Sequence, residues 1–460
     1  MSPRSDAFVD AIVKQVLHAM QDKDQASCVY KSMDLAVEAA YIAQKALVAL
    51  SFEQRGAIIE AIRQISIESS EEWSAHAVEE TGMGNIPHKI QKNILVATKT
   101  PGIEDLLTES WTGDHGLSLV ELSPFGVIGA ITPTTNPTET VICNTIGMVA
   151  AGNAVVFAPH PRAKNVSRHC ITRINSAIIS AGGPANLVTT VEEPTMEAVG
   201  EMMKHPKVNM LVSTGGPGVV KAVLASGKKA IGAGAGNPPV VVDDTADIVK
   251  AAKDIVAGAS FDNNLPCIAE KEVIALDNIC DYLIFQMQAE GALLIDNPDE
   301  LRKLEELILS DGEANRDYIG KSAAYILEKA GINHSQDVKL VIVETDASHC
   351  FVQVELMMPV LPIVRVKDIK TAISTAVAVE HGYRHTAIMH SKNIDHLSAF
   401  GKAIQTTIFV KNGPSYAGIG VGGEGYTTFT IAGPTGEGLT SAKDFTRKRR
   451  CVLVDGFNIR

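Results

Sequence analysis

The sequence predicts an α/β protein made of two units, each a mainly parallel sheet with helices on both faces. Three observations support this. Beyond Pro124, short apolar runs rich in valine and isoleucine alternate with helix-patterned stretches. That alternation marks strands buried on both faces. A small-residue stretch, Gly232-Ala-Gly-Ala-Gly236, interrupts the pattern, which resumes over residues 240–410. Finally, a chain of 460 residues is too long for one compact core, so it requires two or three domains.

Residues 1–20 stand apart. Val9, Ile12, Val13, Val16, Leu17 and Met20 recur at helical spacing, with Asp10, Lys14, Gln15 and His18 on the other side. Ser5 and Asp6 suit the start of this helix. The polar run 21–25 opens a linker that reaches residue 31. A tethered amphipathic helix needs a surface to cover its stripe, on the same protein or on another. From residue 32 to 81 the pattern is helical and rich in alanine. Strands are then expected over 127–131, 154–158, 187–190 and 208–212, with helices over 138–150, 164–179 and 194–204 between them. Residues 451–454 read as a late strand that returns to an earlier element or pairs with a neighbouring subunit. The basic run Arg447-Lys-Arg-Arg450 before it reads as a solvated turn.

Composition excludes several classes. At 45% hydrophobic and 20% charged, the chain falls in the ordinary globular range. With 41 basic and 53 acidic side chains its net charge is −12, which argues against a nucleic-acid partner. Cys28, Cys143, Cys170, Cys267, Cys280, Cys350 and Cys451 are scattered and include no C-x-x-C pair. That pattern suits reduced thiols in a cytoplasmic protein and gives no metal site. No apolar run approaches the roughly 20 residues that span a bilayer, so no membrane partner is expected.

Several segments carry chemistry. In Ser260-Phe-Asp-Asn-Asn-Leu-Pro-Cys267-Ile-Ala-Glu-Lys271 a single cysteine follows a polar run and a proline. By position alone Cys267 would be an inert small hydrophobe. Thr132-Pro133-Thr-Thr-Asn136-Pro137 would by default be a turn, and Glu355 before an apolar run a solvated edge residue. Gly420-Val-Gly422-Gly-Glu-Gly425 matches a dinucleotide fingerprint, but no helix is expected after it, so it reads as a glycine-rich loop near a site. Ser213-Thr214-Gly215-Gly216-Pro217-Gly218 is different. It joins an apolar run to a helical stretch at 219–225, where free amides could hold a phosphate.

Taken together, these segments resemble the aldehyde dehydrogenase family over residues 32–460, and specifically its CoA-acylating branch. The likeness is closest to the propionaldehyde-oxidising group of bacterial microcompartments, with acetaldehyde-specific relatives nearly as similar. It rests on Asn136-Pro-Thr-Glu-Thr140, on residues 260–271, and on Asn412-Gly-Pro-Ser-Tyr-Ala-Gly-Ile-Gly-Val-Gly-Gly-Glu-Gly425. The resemblance implies two Rossmann-like α/β domains plus a small β oligomerisation element. The nucleotide-binding domain would cover 32–237, with part of the oligomerisation element near 103–123. A catalytic cysteine domain would cover 238–410, and a C-terminal return and oligomerisation strand 411–460.

The same resemblance assigns roles. Cys267 would be the nucleophile, and the Asn136 amide with the Cys267 backbone N–H would hold the oxyanion. His385, in Gly382-Tyr-Arg-His385, would be the base for CoA or for the thiol, although His381 and His390 lie nearby and a core or surface histidine is the alternative. Glu355 would bond the nicotinamide ribose, with Met358 where the family carries a glycine before Pro359. NAD and coenzyme A would take turns in overlapping space, touched by Thr132, Pro133, His160, Ser213, Thr214, Gly215, Gly216, Gly234 and Gly236.

Two departures from the hydrolytic branch matter. No carboxylate occurs from 232 to 239, where that branch keeps the glutamate that activates water, and Ala158 replaces its ribose-binding lysine. The implied reaction is oxidation of a short-chain aldehyde, propionaldehyde first, with NAD and CoA to acyl-CoA. The implied partners are a homo-oligomeric copy and, through residues 1–20, microcompartment shell proteins. The competing expectations are an acetaldehyde-specific enzyme, a phosphate-dependent reductase that also forms a cysteine thioester, and a non-catalytic cargo or scaffold protein.

Overall fold

A computed structural model describes residues 27–459, so the amphipathic stretch at 1–20 and most of its linker lie outside the described residues. Two fully parallel sheets dominate. The first has six strands in the spatial order Val29–Tyr30, Val188–Val191, Ala154–Pro159, Val127–Thr132, Val208–Thr214 and Lys229–Ala233. The second has seven: Ala292–Leu294, Leu340–Thr345, Val360–Val366, Glu272–Leu276, Pro239–Val242, Thr386–His390 and Ile408–Lys411. Val29–Tyr30, within the stretch expected as linker, instead forms an edge strand paired in parallel with Val188–Val191.

Local chemistry sets the helix boundaries. Ser32 caps Met33–Leu47 by accepting from the Leu35 N–H, and Ser51 with Gln54 forms a capping box on Phe52–Glu68. Gly82, at φ 68°, ends Ser70–Thr81 in the left-handed conformation. Asn85 caps Ile86–Lys99, with Pro87 in the first turn. Helix Pro137–Ala150 is buried along its whole length. It forms the centre of the first unit, which places Asn136, immediately before it, deep in the molecule.

A third sheet is antiparallel: Glu109–Gly113, Gly116–Pro124 and Thr446–Val454. The tail strand therefore returns to an earlier segment of its own chain, from Thr446 opposite Pro124 to Val454 opposite Gly116. Arg447 to Arg450 lie inside this strand and form no turn, which corrects the sequence reading. The strand's pairing satisfies their backbone while their side chains stay in solvent, Arg450 lying over the Trp111 ring. Among the described residues no helix is long and apolar enough to cross a membrane.

The two large sheets meet a common cleft from opposite ends. The first presents the carboxyl ends of its strands at Thr132, Pro159 and Thr214, beside the point where strand order reverses. The second presents the loops just before its strands: Gly234 and Ala235, Leu265 and Cys267, Glu355 and Met357.

Candidate active site

The cleft holds a cavity of about 560 Å³. Of the residues singled out from the sequence, Thr132, Pro133, Asn136, His160, Thr214, Gly215, Gly216, Gly234, Cys267 and Glu355 line it. Ser213, Gly236 and His385 do not. Ser213 sits fully buried in its strand, while Gly236 and His385 stand one layer behind the cysteine. Sequence reasoning missed several wall residues, notably Arg162, Arg316 and Phe429.

The Cys267 loop is unusual backbone. Asp262, Asn263 and Asn264 are consecutive non-glycine residues with φ of 49°, 55° and 65°. Asn and Asp tolerate this region better than other side chains, but three in a row require external support. Asn263 Nδ2 donates to the carbonyls of Gly84 (3.2 Å) and Gly320 (2.9 Å), and Asn264 Nδ2 to those of Ala259 (2.8 Å) and Glu270 (3.0 Å). Asp262 accepts from the Asn85 N–H at 2.7 Å. The polar run ahead of the cysteine thus builds the turn that presents it.

Burial, with the Glu355 carboxylate next, pushes the Cys267 thiol up to about 12, while Lys271 and Lys92 pull it down. The resting thiol therefore keeps its proton at neutral pH. Lys271 is itself buried, donates to Asn264 Oδ1 at 2.7 Å, and stands 4.0 Å from Glu355. His385 is buried and pulled down to about 4, chiefly by desolvation and then by Lys271, so its imidazole is neutral. Its Nδ1 lies 2.9 Å from Thr386 Oγ1, and its Nε2 has no partner. A Cβ built on Gly236 would lie 2.9 Å from both the Cys267 carbonyl oxygen and the His385 ring, so only glycine lets these two groups approach.

Behind Asn136 lies a buried ionic cluster. Lys92 Nζ donates to Asn136 Oδ1 and ion-pairs with Glu139 at 2.8 Å and Asp262 at 2.6 Å. Lys89 Nζ reaches Asp262 at 3.3 Å and donates to the Thr135 carbonyl at 3.0 Å. Desolvation works against the Lys92 charge, but the two carboxylates outweigh it and leave the ammonium raised.

At the other end, His160 Nδ1 accepts from the Arg162 N–H at 3.1 Å, which fixes the ring. Burial, then Arg162 and Arg316, hold its imidazole neutral by lowering its pKa. Among the described residues neither arginine ion-pairs with a carboxylate. Gly216 precedes helix Pro217–Leu224, and a Cβ there would meet nothing within 4 Å, so its backbone is open to a ligand. The Gly215 N–H is taken by the Ala233 carbonyl, but unpaired guanidiniums, the exposed Gly216 backbone and a helix N-terminus suit the phosphates of a nucleotide. At Gly232 a Cβ would lie 2.8 Å from Val220 Cγ1, and Glu355 is the one carboxylate among the described residues lining the cavity.

A model of the aldehyde dehydrogenase family matches residues 14–305. The chain belongs to the aldehyde dehydrogenase family. It is 50% identical over 456 residues to the propanal dehydrogenase (CoA-propanoylating) of Citrobacter freundii, covering 99% of each chain. Among solved structures, a Rhodopseudomonas palustris propionaldehyde dehydrogenase with bound CoA and an acylated cysteine superposes with a TM-score of 0.93. It is 58% identical, with 94% of this chain and 99% of that chain covered. A propionaldehyde dehydrogenase from the fucose-utilisation microcompartment of Clostridium phytofermentans also gives 0.93, at 53% identity, covering 94% and 100%.

One buried acid near the site gives a pH test. Burial raises Glu270 to about 7, against Ser415, whose N–H (2.8 Å) and hydroxyl (2.7 Å) donate to its carboxylate. The folded state thus holds this proton more tightly than the unfolded chain does. Its contribution is complete below the ordinary glutamate range and is lost as pH rises to about 7. A shift of this size corresponds to on the order of 3 kcal/mol. In thermal melts, Glu270→Gln should gain on the wild type between pH 5 and pH 8; a gap independent of pH contradicts the assignment.

Proposed function

We propose that this chain oxidises a short aldehyde, propionaldehyde first, with NAD and CoA, to acyl-CoA and NADH. The observation that carries the reading is a single cysteine and an oriented asparagine amide sharing one cavity, with no carboxylate along residues 232–239. NAD supplies the hydride acceptor and CoA the thiol that takes the acyl group. Thr214, Gly215, Gly216, His160 and the two arginines would hold the nucleotide end of either, and Glu355 the nicotinamide ribose.

The chain's own part follows from its geometry. Cys267 Sγ bonds the aldehyde carbon, and the carbonyl oxygen becomes an anion facing the Asn136 amide and the Cys267 N–H. Loss of hydride from that carbon leaves a thioester on Cys267. His385, behind Cys267 with a buried, unpartnered Nε2, is assigned the Cys267 thiol proton, which Nε2 can accept when Nδ1–H faces Thr386. Glu355, held near Lys271, is engaged elsewhere. The wall at 232–236 offers no carboxylate to ionise water, so the thioester waits for a thiol. Omitting CoA should therefore stop turnover after one equivalent of NADH, read as a burst; sustained carboxylic-acid formation without CoA contradicts this.

Residues 1–20 are proposed to recruit the enzyme to a microcompartment shell, on the strength of their amphipathic pattern and the microcompartment origin of the Clostridium phytofermentans relative. Deleting them should leave turnover intact and remove co-purification with shell proteins; retained association sinks this part.

A further inference from the structure

We propose that Lys92 is a positioning residue that fixes which way the Asn136 amide faces and ties it to the loop carrying Cys267. This rests on the oxyanion role proposed for Asn136. An ammonium can only donate hydrogen bonds, so the atom of Asn136 that meets Lys92 must be Oδ1. The amide nitrogen is thereby turned away from Lys92, its one acceptor among the described residues being Thr135 Oγ1 at 3.2 Å. Were the amide flipped, its carbonyl dipole would face a developing negative charge and repel it. A cation on Oδ1 also draws electrons from the amide and makes its N–H a stronger donor.

The cluster is suited to this task. Lys89, Lys92, Glu139 and Asp262 are all fully buried, and two cations against two anions leave no net charge to solvate. Lys89 and Lys92 lie one turn apart on helix Ile86–Lys99, so both reach the same side. Lys92 joins three segments: its own helix, the start of helix Pro137–Ala150 through Asn136 and Glu139, and the left-handed run through Asp262. The oxyanion donor and the nucleophile's loop are thus referenced to one nitrogen atom. Its contact with Phe429, 5.5 Å from ring centroid to Nζ, places a cavity wall residue against the same cation.

The test is a coupling experiment on the full chain. Lys92→Met with Glu139→Gln removes the cation while keeping the cluster neutral. Asn136→Ala should lower kcat by about 10²–10³, the usual cost of one oxyanion donor. The Lys92/Glu139 pair should lower kcat at least about 10-fold, with the KM values for NAD and CoA unchanged. Adding it to Asn136→Ala should cost nothing further in kcat, even though it still lowers the thermal midpoint in that background. Lys92→Gln with Glu139→Gln keeps an N–H for Oδ1 and should recover kcat toward the wild type. That pair also carries the test if the methionine pair fails to fold. Losses that multiply in the triple variant overturn the proposal, as does wild-type kcat in the methionine pair. If Asn136→Ala alone leaves kcat unchanged, the oxyanion assignment fails and this role falls with it. That outcome is distinguishable because Asn136 itself is then silent.

Discussion

Cys267→Ala is expected to abolish NADH formation at every aldehyde concentration, with the fold retained. The completeness follows from position. No other cysteine lines the cavity: Cys28, Cys143, Cys170 and Cys280 are buried elsewhere, Cys451 is exposed on the tail strand, and Cys350 lies at a helix start outside the cleft. Without the sulfur there is no thiohemiacetal, so no carbon is poised to lose hydride. The residual rates that survive in enzymes where water can replace a nucleophile have no route here, because nothing at 232–236 activates water. Mass spectrometry of wild-type protein quenched with aldehyde and NAD, before CoA, should place an acyl group on the Cys267 peptide. Unmodified Cys267, or NADH production by the alanine variant, ends the assignment.

Gly236→Ala should lower turnover although Gly236 itself does not line the cavity. Its Cβ would meet the Cys267 carbonyl oxygen and the His385 ring together at 2.9 Å. The first of these is backbone and cannot rotate aside, and the second is a buried ring with no space to enter. Relief requires the cysteine loop or the strand at Thr386–His390 to move by several tenths of an ångström. Misplacing a reacting group by about 1 Å can cost 10²-fold, so a shift of this smaller size should lower kcat by up to about 10-fold. The number of cysteines titratable in denaturant stays the same. Unchanged kcat would mean that the packing of His385 against the cysteine loop has no bearing on turnover.

The sheets were legible because their strands repeat a pattern that admits few other readings. Residues 127–131 are apolar on both sides and 208–212 nearly so, with Asn209 the exception, and both became interior strands of the first sheet. Val29–Tyr30 was hidden, since so short an apolar run between Ser27 and Lys31 carries no period. Cys267 and Asn136 were legible as a pair through the segments around them, and in the structure both line the same cavity. The ionic cluster was not. Lys89 and Lys92 look like the solvated side of an amphipathic helix, and only three-dimensional proximity to Asp262 and Glu139 shows that this side faces inward. Arg316 and Phe429 reach the cavity from segments far along the chain, and no spacing rule links them to Thr214. His385 was picked from its local sequence, but its place behind the cysteine depends on Gly236, whose meaning lies in a contact between loops.

The return of Thr446–Val454 to Gly116–Pro124 sets a schedule for biosynthesis. A ribosome releases the first of these partners more than three hundred residues before the second. Asn153, in the first unit, meanwhile needs the Phe445 carbonyl for its side-chain amide. Until Thr446–Val454 is made, the Gly116–Pro124 strand therefore has one side unpaired. Once paired, Thr446–Val454 is itself the exposed edge of that sheet, and such edges invite pairing with other chains.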